Sequence, residues 1–242
     1  MMKSIQIMGT LFLYQEYNFI GKNKMISMED KEALLHYTIA FIGGYMGVYP
    51  VIYVAKAFAS AQTANQISLL VALANGDIKQ FILRTLGLVV YCIPIIYTTL
   101  TINKKKDLKK IAIIVDIIDV FILWLLPDSF PALLALLPNF FAMSLHWCSF
   151  NGAYGFVAAP IFSTNNTRQW LSSVVEVYIN KNKGFRQKMN FYGYTLLSFN
   201  VGVLLCAILS KTLHRSSILL TLMPLLVAIC LNYQLRKELT KK

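Results

Sequence analysis

Charge is scarce in this 242-residue chain: 14% of its residues are Asp, Glu, Lys or Arg, whereas 57% are apolar. Soluble globular chains carry about a quarter charged residues, so the composition excludes an ordinary water-soluble domain and points to a membrane. Acidic residues are the rarest of the charged set, 11 against 23 basic ones, for a net charge of +12. A nucleic-acid binder would spread that excess over a solvated face. Here the basic residues lie in short clusters between long apolar runs, which is the pattern of membrane loops, and nucleic acid is excluded as a partner. Cysteine is sparse too. Cys92, Cys148, Cys206 and Cys230 fall inside apolar runs with no C-x-x-C spacing, which argues against a disulfide framework or a zinc site. His36, His146 and His214 are scattered without a ligand pattern, so no metal is expected. Neither H-E-x-x-H nor a nucleophile elbow occurs, which argues against an enzyme and leaves no cofactor to expect.

Six to eight helices of about 20 residues use up the whole length, leaving no room for a soluble catalytic domain. Six stretches are near the length needed to cross: 34–55, 81–102, 111–127, 131–150, 189–210 and 218–233. Pro50, Pro94 and Pro224 lie inside them and should kink them. Two further stretches differ in kind. Residues 63–74 would span only about 18 Å as a helix, and 164–178 carries Arg168, Gln169 and Glu176. Both read as half-helices or re-entrant segments. Ahead of the first span, Lys3 and the apolar run Ile5 to Tyr14 faintly resemble a signal peptide. The run lacks a small-residue cleavage site and continues into Gln15-Glu16, so a weakly amphipathic surface helix is expected instead. Met25 and Met28 leave open that residues 1–24 are an extension.

Loop charge chooses between six and eight crossings, because cytoplasmic loops collect Lys and Arg. With six crossings, 17 basic residues fall on the side of both termini and four opposite; with eight the tally is 13 against eight. The six-crossing arrangement is favoured, with both termini cytoplasmic. The halves also resemble one another: at an offset of 101, Thr63-Ala64-Asn65 aligns with Thr164-Asn165-Asn166, in the same order of span, half-helix, span, span. Three crossings per half invert the second relative to the first, as in many secondary transporters. The expected fold is therefore all-α integral membrane, six transmembrane helices plus two half-helices in a 3+3 inverted repeat. It divides into an N-terminal cytoplasmic segment 1–33, repeats 34–127 and 131–235, and a basic tail 236–242.

Along Gly43-Gly44-Tyr45-Met46-Gly47-Val48-Tyr49, Phe58-Ala59-Ser60-Ala61-Gln62-Thr63-Ala64-Asn65, Phe141-Ala142-Met143-Ser144-Leu145-His146-Trp147 and Ile161-Phe162-Ser163-Thr164-Asn165-Asn166-Thr167-Arg168-Gln169, the chain resembles the YoaK family of bacterial multi-pass membrane proteins. The likeness runs from about Leu34 to the C-terminus. It departs at Gly47, where the family has Asp, at Ala64, where it has Gly, and at His146, where Gln is usual. The resemblance implies a polytopic protein of the bacterial plasma membrane and brings no established activity.

Asp116 and Asp119 lie three apart on one helix face, and Asp119 sits about 13 Å beyond Lys110. Buried carboxylates in a membrane are costly and commonly mark a proton or ion path. The alternative is a structural pair held by Tyr or Asn side chains, or by Arg84. Thr63, Asn65, Thr164 and Asn166 suit helix N-caps, and a half-helix start in the membrane presents free N–H groups and a positive dipole end. With Asn165 beside them and Arg168 as counter-charge, these residues form an expected substrate site near the midplane; capping alone is the alternative. Gly43, Gly44 and Gly47 with Ala40 make a small face for close helix packing. Trp147 and Tyr154 suit interface anchors or binding-site aromatics.

The functional expectation is a transporter or channel for a small polar or anionic solute, with Asp116 and Asp119 in coupling. The alternative is a non-transporting membrane subunit that binds a solute or a partner protein. The expected partners are the lipid bilayer and that solute, and a homo-oligomer is compatible with the sequence.

Overall fold

The structure, a computed structural model, describes residues 27–54, 58–101, 104, 106–127 and 129–240. The surface helix expected before residue 27 and the last two residues of the basic tail lie outside the described residues. Four stretches are long and apolar enough to cross a membrane by length and composition: Met28–Tyr53, Ile78–Thr101, Ala132–Ser149 and the continuous Lys183–Leu239.

Helix α1 (Met28–Tyr53) begins six residues before the apolar run does, because the Ser27 hydroxyl accepts the Asp30 amide and Glu29 and Asp30 favour the positive end of the helix. At 26 residues it is about 39 Å long. A short helix α2 (Gln62–Ala74) follows, then α3 (Ile78–Thr101) and α4 (Leu108–Leu125). Asp107 opens α4 by accepting the Lys110 amide. The stretch 131–150, read as one span, is two pieces, α5 (Ala132–Ala135) and α6 (Leu137–Ser149), with Pro138 in the first turn of α6 where its missing N–H costs nothing. A two-stranded hairpin that no periodicity announced pairs β1 (Gly152–Ala153) with β2 (Phe156–Val157). Its turn residues Tyr154 and Gly155 both have positive φ, as a tight hairpin turn of the primed kind requires. The short helix α7 (Thr164–Tyr178) leads to α8 (Arg186–Leu213), a 3-10 segment His214–Thr221, and α9 (Leu222–Leu239). Pro224 therefore lies in the first turn of α9, where its missing N–H costs little, and not in the helix interior.

Apolar residues cover the outside. On α3, Ile82, Leu86, Val89, Ile93, Ile96 and Leu100 form one exposed stripe at helical spacing, reaching 70% exposure at Leu100. Such a stripe has no place in water and suits lipid. The threonines of α3 turn their hydroxyls inward on the helix: Thr98 and Thr101 donate to the carbonyls of Pro94 and Tyr97 at 2.8 and 2.7 Å. Each polar group is thereby satisfied without water.

Helix α1 is the centre of the core and packs most extensively on α8. Of the glycines of the expected small face, Gly44 makes that contact, while Gly43 lies against Pro160 and Gly47 against the Phe58 ring. A Cβ on Gly44 would stand 2.1 Å from the Phe199 carbonyl oxygen, and one on Gly202 would stand 2.1 Å from that of Phe41, so the backbones cross at glycines on both sides. The charged groups gather at one end of the bundle. Glu32 meets Lys109 at 3.0 Å, Lys31 meets Glu238, Arg236 Nε meets Asp107 at 3.3 Å, and the Tyr154 hydroxyl donates to Asp30 at 2.6 Å. The starts of α1 and α4, the end of α9 and the hairpin thus share one face. At the other end of α1, Tyr49 and Tyr53 donate to the carbonyls of Arg215 and Ser210.

Candidate functional site

Two groups of polar residues were expected to matter, and the structure treats them differently. The carboxylates lie in the core: Asp116 is fully buried and Asp119 is 2% exposed. Along α4 they follow Lys109 by seven and ten residues, which puts them about 10 and 15 Å in from the charged end. Residues at this spacing lie about 6 Å apart, and two full negative charges at that distance repel by about 3 kcal/mol at an effective dielectric of ~20. The two carboxylates are therefore partnered from α6, which runs antiparallel to α4 and offers two polar side chains seven residues apart. Asn139 Nδ2 donates to Asp119 Oδ2 at 2.7 Å. His146 Nδ1 lies 2.8 Å from Asp116 Oδ2, and its Nε2 lies 3.2 Å from the Ile39 carbonyl of α1. A carbonyl only accepts, so Nε2 carries a proton, and the Nδ1 to Oδ2 contact holds one more. Three acceptors in this cluster remain without a partner among the described residues: Asp116 Oδ1, Asp119 Oδ1 and Asn139 Oδ1. His36, one turn from Ile39 on α1, is also buried, with both ring nitrogens unpartnered among the described residues and its ring 5.2 Å from that of Phe191.

Of the partners the sequence offers for the carboxylates, Tyr, Asn or Arg84, an Asn side chain is the one found, and a histidine joins it. Arg84 makes no ion pair with them among the described residues; it lines a cleft beside Asn65 and Gln66. The signal for the missed partners was present: Asn139 and His146 stand on one face of an apolar helix, and two acids stand on one face of another.

The residues of the two short helices are arranged otherwise. Neither helix start is capped by a side chain, the N-caps being Ala61 and Ser163. Asn65 and Asn166 lie within the first turn, and their amides donate backward: Asn65 Nδ2 to the Phe58 carbonyl at 3.3 Å, Asn166 Nδ2 to those of Ala159 and Phe162 at 2.7 and 2.9 Å. They tie down the incoming loop and do not cap the helix. Thr63, Thr164, Asn165 and Arg168 are exposed, and Arg168 donates to Asn165 Oδ1 at 3.4 Å. Glu176 bonds Asn180 at 3.1 Å instead of Arg168. An exposed guanidinium suits a helix end that reaches water or headgroups. The cavity at Asn65, about 10 Å³, is lined from α2, α3, α5 and α6. No residue of α7 lines it, so Asn166 is not brought into it. Outside the spans, burial and the bonded Asp30 carboxylate push the Tyr154 phenol well above its ordinary range, keeping it a donor in the hairpin contact.

Apolar helices enclosing a buried acid–histidine and acid–amide cluster define a polytopic membrane protein with its polarity turned inward. The chain belongs to the family described as Protein of unknown function (DUF1275), matched over residues 35–231. This is the YoaK-type membrane family that its motifs resembled. No curated protein and no solved structure matches the chain.

Proposed function

We propose that this protein is a membrane transporter for a small polar or anionic solute, built as a 3+3 inverted repeat of six crossings and two short helices in the bacterial plasma membrane. The observation that carries the reading is the buried Asp116, His146, Asp119 and Asn139 cluster. Ionisable groups at this depth are expensive, and α4 gives up apolar length to hold two of them. A coupling role for Asp116 and Asp119 accounts for that cost.

The repeat is supported by packing. Exchanging α1 for α6, α2 for α7, α3 for α8 and α4 for α9 turns the α1–α8 contact into α6–α3, α2–α3 into α7–α8, and α4–α6 into α9–α1; all six contacts are made. It is supported again by the loop ties, since Asn65 to Phe58 and Asn166 to Ala159 are the same bond moved by 101 residues. Both termini on the cytoplasmic side accords with the shared charged end, where the start of α1 meets the end of α9. Solute contacts are assigned to the starts of the two short helices, Thr63 and Asn65 on one and Thr164, Asn165, Asn166 and Arg168 on the other; the cavity at Asn65 is not shared by the second group. One observation favours the second reading, a non-transporting subunit that binds a solute or partner protein: the cavity at Asn65 has room for about one water.

Purified chain reconstituted alone into liposomes separates the two. Uptake of phosphate, taurine or xylitol above protein-free vesicles is expected, and binding of a probe with no uptake would favour the subunit reading.

A further inference from the structure

Two of the three acceptors left without a partner among the described residues belong to one bonded pair. Asn139 gives its N–H to one oxygen of Asp119, which leaves its own carbonyl oxygen and the other Asp119 oxygen both without a donor. A carboxylic acid and a primary amide complete one another in a ring of two hydrogen bonds, amide N–H to acid oxygen and acid O–H to amide oxygen. One half of that ring is in place. We propose that Asp119 and Asn139 are a proton-binding pair, the proton sitting on Asp119 Oδ1 and donated to Asn139 Oδ1. This deepens the coupling role proposed above and rests on it only for its use in transport.

One proton satisfies both orphaned atoms at once. A metal cation does not fit as well, because hard cations take about six or more oxygens, and three unpartnered ones are present in the cluster. Neither can the proton be assigned to Asp116 alone. The contact between Asp116 and His146 already holds one proton between them and is neutral overall whichever atom carries it. Adding the second proton at Asp119 makes the cluster neutral as a whole, and removing it leaves one uncompensated negative charge on a buried group. The groups around Asp119 permit this. Asp116 is on its own helix, Asn139 bonds Asp119 from α6, His146 of the same helix bonds Asp116, and the buried His36 of α1 stands one turn from the Ile39 carbonyl that His146 meets. The buried side chains of α9 and of the 3-10 segment are apolar, amide or hydroxyl.

Protonation of a carboxyl is read directly by its C=O stretch in the infrared, without any solute. The full chain in lipid nanodiscs at neutral pH is expected to show a protonated-carboxyl band that is lost in Asp119→Asn and retained in Asp116→Asn. In Asn139→Leu the band should move to the position of an acid with no acceptor. Asp119→Asn preserves the shape of the pair as two amides, so it is expected to fold. Should Asn139→Leu fail to fold, isotope-labelled asparagine in the native chain replaces it: its amide band must shift together with deprotonation of the acid. A missing band at neutral pH, a protonated-carboxyl spectrum that Asp119→Asn leaves unchanged, or an acid band and amide band that titrate independently would each overturn the pair. Solute uptake without the band rejects the pair and keeps transport; the band without uptake does the reverse.

Discussion

The two halves of the chain share packing but not chemistry. In the second half, α9 lies against α1 as α4 lies against α6 in the first, yet the two contacts are filled differently. Between α4 and α6 stand Asp116 with His146 and Asp119 with Asn139. On α9 the buried residues are Leu225, Ala228, Leu231, Asn232 and Leu235, and its one polar member bonds Asp107 at the charged end. Near the far end of α1 the buried polar set consists of hydroxyls, Ser210 with Ser217 at 3.2 Å and Tyr45 donating to the Ser217 carbonyl at 2.7 Å. What recurs in both halves, the helix order and the asparagine ties, builds the scaffold. What occurs once, the ionisable pair, is the better guide to function, because a scaffold needs no carboxylate in its core.

The largest expected effect comes from breaking the side that has no counterpart. His146→Leu leaves Asp116 buried without its partner and should cost about 3–5 kcal/mol, the usual penalty for stripping one member of a buried pair. Ser210→Ala, on the hydroxyl side, should cost about 1 kcal/mol. Thermal unfolding of both variants in the same lipid checks the ratio, and equal losses would remove the contrast. Next in size is the helix crossing: Gly44→Ala forces a Cβ against the Phe199 carbonyl, which α1 and α8 relieve only by moving apart, at about 1–3 kcal/mol or more. Within the repeated tie, Asn166→Leu should cost more than Asn65→Leu. Asn166 is buried and makes two bonds, so about 1–3 kcal/mol is expected. Asn65 is half-buried with one bond of 3.3 Å, and about 1 kcal/mol or less is expected. If solute affinity falls in these variants while the melting temperature holds, they contact solute as well as the loop. Arg168→Ala, on an exposed residue, should change stability by no more than about 0.5 kcal/mol, so any loss of uptake in it reports on solute and not on folding.

Much of this architecture was legible in the sequence. Apolar runs located the long helices, Thr63 and Thr164 located the short ones, and the glycines of α1 announced a close crossing that Gly44 and Gly202 make. Helix ends were less legible, since Ser27 and Asp107 start helices from polar residues outside the apolar runs. The hairpin at 152–157 is two residues per strand, too short for any period to register. The carboxylates were visible as anomalies in an apolar helix. Their partners were visible only as two polar residues on one face of another apolar helix, because pairing Asp116 with His146 and Asp119 with Asn139 depends on α4 and α6 lying antiparallel, a relation between segments that the residues of neither one carry.

Inversion of the repeat is the claim on which the comparison of halves depends, and side-specific labelling tests it most directly. In a background lacking Cys92, Cys148, Cys206 and Cys230, all free thiols, Thr63→Cys and Thr164→Cys each place one thiol at an exposed position in the first turn of a short helix. A membrane-impermeant maleimide should reach residue 63 from outside intact cells and residue 164 only in inverted vesicles. Labelling of both from the same side would contradict the inverted repeat.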